Sequence, residues 1–83
     1  MKRKTNENDR STLTNLPIGQ MANISAVNGD GRLMRRLKEM GVIPGASVKV
    51  IRTAPFGDPI EVRIRGYSLA MRRSEADSID VIY

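Results

Sequence analysis

Ser68 and Ser74 are hydroxyls that could attack a carbonyl or a phosphoryl group, but only with a base beside them. The 83-residue chain contains no histidine and no cysteine. Imidazole bases, thiolate nucleophiles, disulfides and zinc-finger spacings are therefore all excluded. The remaining metal donors are carboxylates and carbonyls, and Asp58, Glu61, Asp77 and Asp80 are the candidates. They are single acids on separate stretches, and they read as turn, cap and surface charges rather than as a ligand set. The glycine-containing run "GVIPGAS" has neither the spacing nor the lysine of a phosphate-binding loop. The expectation is a chain with no catalytic residues, no metal site and no cofactor.

Binding chemistry is the alternative, and the basic residues are the first place to look for it. The net charge is +5. Lys2, Arg3, Lys4 and Arg10, less Glu7 and Asp9, place +2 of it in the first ten residues and leave +3 for the rest. Arg35, Lys38, Arg63, Arg65 and Arg72 form a candidate basic surface for nucleic acid, which would have to concentrate on one face to release counterions. With two Tyr, one Phe and no Trp, base stacking has little to work with, and nucleic acid is the weaker reading. Phe56 stands in "APFGDP", between Pro55 and Pro59, where Pro55, Phe56, Gly57, Asp58 and Pro59 make a loop of low backbone entropy. Such a phenylalanine is either a preorganised anchor for a partner or a lid folded onto the core.

These residues must be carried by short elements. Residues 1–12 are polar and aperiodic and read as a disordered basic tail; residues 13–83 read as one domain. Ala22, Ile24 and Ala26 alternate with polar neighbours as in a strand. Asp30 is placed to cap a helix starting near Arg32, with Leu33, Leu37 and Met40 on one stripe, flanked by Met34. Gly41 suits a left-handed helix end, and Pro44–Gly45 suits the centre of a type II turn. A second strand is predicted from Ser47 to Arg52, a third from Ile60 to Arg65, a tight turn at Gly66, and a fourth from Ser68 to Arg73. In these, Ile60, Val62, Ile64, Leu69 and Met71 face inward, which puts Arg63, Arg65 and Arg72 outside, with Glu61 placed to pair with one of them. Ser74 can cap a single helical turn, and Ile79 and Val81 close a fifth strand. The pattern predicts a mainly β fold: a small SH3-like barrel of about five strands with one short amphipathic helix and a helical turn before the last strand. No apolar run reaches the length of about 20 residues that a membrane-spanning helix needs, so the expected location is cytoplasmic.

The stretches "LPIGQMANI", "LMRRLKEMGVIPGASVKVI" and "APFGDPIEVRIRGYSLAMRRSEADSIDV" resemble the FeoA family of bacterial ferrous-iron uptake. The resemblance runs from about Leu13 to Val81 and is most specific at Gly41, Pro44 and Gly45, at Pro55, Gly57, Asp58 and Pro59, and at Leu69, Arg72 and Ala76. It implies an SH3-like barrel and a non-enzymatic cytoplasmic adaptor. The implied partner is a membrane ferrous-iron permease with a cytoplasmic GTPase domain, so that the chain meets the membrane only through that partner. Similar domains close metal-dependent transcriptional repressors, which keeps a regulator fragment as the alternative. Self-association through a barrel edge is a third possibility, compatible with the adaptor.

Overall fold

The computed structural model describes residues 10–83. Six strands form one antiparallel sheet in the order β1-β6-β2-β3-β4-β5: β1 (Arg10–Thr12), β2 (Met21–Val27), β3 (Ser47–Thr53), β4 (Ile60–Ile64), β5 (Tyr67–Met71) and β6 (Ile79–Ile82). Helix α1 (Gly31–Glu39) joins β2 to β3, and the single turn α2 (Arg73–Ala76) joins β5 to β6. The fold is mainly β and of the expected SH3-like type.

Period-two alternation explains the sheet. In β4 the sequence Ile-Glu-Val-Arg-Ile buries Ile60, Val62 and Ile64 and turns Glu61 and Arg63 outward. Ala22 and Ile24 of β2, Val48 and Val50 of β3, Met71 of β5 and Ile79 and Val81 of β6 complete the same inner surface. Leu13, the first residue of a 3-10 turn (Leu13–Asn15), and Leu16, just after it, also join that core. No polar or charged side chain is buried among the described residues. Leu69, expected inside, is only partly buried, because β5 is an edge strand.

Helix α1 has nine residues, too few to be stable alone. Asp30 accepts a hydrogen bond from the Leu33 amide at 2.8 Å, the cap predicted for it. Leu37 is fully buried, and Leu33 and Met40 pack partly against the core. Gly41 follows at φ +89°, and the Val42 amide donates back to the Leu37 carbonyl. The Ala46 amide then donates to the Ile43 carbonyl across Pro44 and Gly45, with Gly45 at φ +94°, the expected type II turn.

Five expectations need correction. There are six strands, because Arg10–Thr12 form β1 against β6, with Arg10 opposite Ile82. Arg10–Thr12, counted with the tail, are thus part of the sheet, and residues 1–9 of the expected tail lie outside those described. Arg65 is not in a strand: at φ 55° it forms the two-residue β4–β5 turn with Gly66. Ser74 does not cap α2, which begins one residue before it.

Glu61 pairs with none of Arg63, Arg65 or Arg72. A bulge between Val50 and Arg52 brings Arg52 opposite Glu61, and Arg52 Nε meets Glu61 Oε1 at 2.6 Å.

Candidate functional site

The β3–β4 connection is built as a rigid projection. The Ala54 amide donates to the Pro59 carbonyl at 3.0 Å, closing the base of the loop, and the Gly57 amide donates to the Ala54 carbonyl at 2.8 Å. Pro55 therefore stands second and Phe56 third in a four-residue turn, with Gly57 fourth, the arrangement that a fixed proline φ favours. Phe56 projects from the tip at 98 % exposure, so it is not a lid on the core. An aromatic held away from the protein by its own turn loses little entropy on meeting a partner.

The loop is also tied to α2. The Arg73 amide donates to Asp58 Oδ1 at 3.0 Å, so a carboxylate fifteen residues away in sequence satisfies an N-terminal donor of that helical turn. Glu75 does the complementary job from inside: its Oε1 accepts from the Arg72 amide at 2.9 Å, and its Oε2 forms an ion pair with Arg36 of α1. Thr14 donates to Asp77 Oδ1 at 2.5 Å, joining the first turn of the domain to the end of α2. Asp58, Pro59, Arg36, Arg72 and Glu75 with Ala70 and Met71 line an open cleft of about 450 Å³ beside the loop. Each expected acidic donor thus has a structural job: Asp58 and Asp77 as above, Glu61 with Arg52, and Asp80 accepting from Asn28 at 3.1 Å.

Two outcomes follow. Asp58→Ala should cost about 1 kcal/mol of stability, the ordinary value of a helix cap. It should also raise hydrogen exchange in both α2 and the loop, whereas exchange unchanged in the loop would show that Asp58 does not hold it. Glu75→Ala should be more damaging than Arg36→Ala in urea unfolding. The glutamate side chain is 15 % exposed and serves two partners, whereas the arginine is 54 % exposed and its ion pair is weakened by solvent.

The candidate basic residues are spread over several elements. Arg35 and Lys38 lie on α1, Arg63 on the outer face of β4, Arg65 in the β4–β5 turn, and Arg72 just before α2. All five are exposed. Ser68 is exposed on β5 and Ser74 on α2. No group of three or more acidic, histidine or cysteine side chains that could hold a metal occurs among the described residues. No helix there is long and apolar enough to cross a membrane. Sequence reading missed the cap by Asp58 and the double role of Glu75, although Glu75 stands three residues after the helix-flanking Arg72, the spacing of a capping box.

Fold and site together define a small SH3-like barrel that presents an aromatic on a braced loop. The model of the FeoA domain matches residues 11–82, and the chain belongs to the FeoA family of ferrous-iron transport. A fusion protein of Porphyromonas gingivalis, joining Fe(2+) transport protein A to the Fe(2+) transporter FeoB, is 38 % identical over 69 residues. That match covers 83 % of this chain and 8 % of the fusion protein, so the chain spans about a twelfth of that relative's length. The solution structure of the FeoA protein from Chlorobium tepidum superposes with a TM-score of 0.82 at 43 % identity, over 87 % of this chain and 69 % of that one. Stenotrophomonas maltophilia FeoA in complex with zinc, described as a prokaryotic SH3 domain protein, gives 0.76 at 31 % identity, over 86 % and 88 % of the two chains.

Proposed function

We propose that this domain is a cytoplasmic adaptor in ferrous-iron uptake. It binds the cytoplasmic GTPase region of a membrane ferrous-iron permease, with Phe56 and the Pro55–Pro59 loop as the contact. The observation that carries this reading is the Porphyromonas gingivalis fusion, in which a matching domain and the transporter share one chain. Covalent joining replaces a bimolecular encounter with a high effective concentration, which is useful when two domains work in contact. The loop supports the choice of surface, being braced at Ala54–Pro59 and Asp58–Arg73 while its aromatic is left in water. The domain acts by contact and not by catalysis in this reading, which is supported by a chain with no histidine to activate Ser68 or Ser74. Ferrous iron is the cargo of the permease in this reading and is not held by the adaptor.

The test is a titration of the purified chain against the soluble GTPase region at physiological salt, with and without guanine nucleotide. Saturable binding is expected, and Phe56→Ala should weaken it by about 1 to 3 kcal/mol with an unchanged unfolding midpoint. No binding in either nucleotide state would refute the partner. Binding that Phe56→Ala leaves intact would refute the contact surface and retain the partner.

A further inference from the structure

The outer face of the sheet holds a pair of charges that disfavours the fold as it stands. Lys49 of β3 lies directly opposite Arg63 of β4. Their flanking residues Val48, Val50, Val62 and Ile64 are buried, so both cations project outward on the same face. Like charges facing each other across a strand pair repel. The ion pairs of the described residues, Arg36–Glu75 and Arg52–Glu61, leave both of these cations without a carboxylate.

The same cross-strand row continues with Met21 of β2 opposite Lys49 on its other side. Met21 is 57 % exposed, and Ile18 is 61 % exposed on the turn leading into β2. That turn is closed by the Gln20 amide donating to the Pro17 carbonyl, and it is fastened to the sheet by the Gly19 amide donating to the Val50 carbonyl. Ile18 is therefore held beside the row and does not trail from it. Two aliphatic side chains and two uncompensated cations share one rim of the domain.

We propose that Ile18, Met21, Lys49 and Arg63 form a docking face for an anionic lipid bilayer. Acidic headgroups would neutralise the repelling pair, the long cationic stems can lie along the interface, and the two aliphatic tips can enter the acyl boundary. A nucleic-acid backbone would answer the cations but leave the aliphatics against water, and the row has no aromatic for a base to stack on. This goes beyond the adaptor reading and does not depend on it, since no permease is needed for the contact.

The experiment is sedimentation of the full chain with vesicles of phosphatidylcholine alone and with about 30 mol % phosphatidylglycerol, the latter supplying the negative surface potential. Binding to the acidic vesicles only is expected, and it should fall as salt is raised. Lys49→Glu with Arg63→Glu should weaken it roughly tenfold or more, and Ile18→Ser with Met21→Ser should weaken it several-fold, with unfolding midpoints retained. Neutralising the tail by Lys2→Gln, Arg3→Gln and Lys4→Gln should leave most of the binding in place. The proposal is overturned if neither vesicle binds, if lipid charge makes no difference, or if the tail variant abolishes binding while the Lys49/Arg63 variant does not. Binding of soluble polyglutamate without binding of vesicles would also overturn it, in favour of an acidic protein surface.

Discussion

Leu37→Ala is expected to lower the unfolding free energy by about 3 kcal/mol, within the usual range for a buried leucine truncated to alanine. A chain of this size has on the order of 4 to 12 kcal/mol in total. The effect should be among the largest of any single substitution here, because Leu37 is the one fully buried side chain of α1. Its cap at Asp30 and its partly packed Leu33 and Met40 cannot hold nine residues helical without it. The void left behind lies against the sheet, which is hydrogen-bonded across six strands and will not collapse readily to fill it. Urea unfolding should show a lower midpoint with little change in slope, and hydrogen exchange should accelerate in α1 before it does in β3 and β4. A midpoint within experimental error of the parent would mean that α1 contributes nothing to closing the core.

Gly41→Val should cost about 2 to 3 kcal/mol, combining a left-handed backbone that a β-branched residue resists with local crowding. At φ +89° a side chain is strained whatever the space around it. Here an added Cβ would also stand 3.1 Å from Tyr67 Oη and 3.3 Å from Arg65 Cδ. Both are parts of side chains that can shift, so crowding adds to the backbone term without dominating it. Gly45→Val is the comparison that separates the two effects. Its φ of +94° imposes similar strain, but no heavy atom beyond its two chain neighbours lies within 4 Å of its added Cβ. Urea midpoints should therefore rank Gly41→Val below Gly45→Val, and both below the parent. Equal midpoints would show that Tyr67 and Arg65 do not crowd the helix end.

Both sites were legible in the sequence because local rules govern them. A leucine at the centre of an apolar stripe and a glycine after the last helical residue follow from helix period and chain chirality. The alternation in β2, β3 and β4 was readable for the same reason, since one face of the sheet is wet. What escaped depended on residues far apart in the chain. β1 is three polar residues with no apolar signal of its own, and it exists because β6 offers an edge some seventy residues later. Glu61 found Arg52 because a bulge moved the register by one, and no pattern in "SVKVIRT" announces a bulge. Asp58 was assigned to its own turn, yet its carboxylate serves α2. Arg65 was counted into β4, but the two-residue turn needed it at positive φ. The exposure of Phe56 was an open alternative in the sequence, since rigidity of the loop said where the ring could be held and not which way it would point.

The pairing of Arg10 with Ile82 has a consequence for how such a domain can be attached. Neighbouring strands lie about 4.8 Å apart, so a polypeptide entering at β1 and one leaving at β6 pass side by side through a single doorway. A module of this shape can be joined at either end, or set into a surface loop of a larger protein, with little displacement of the host's own backbone.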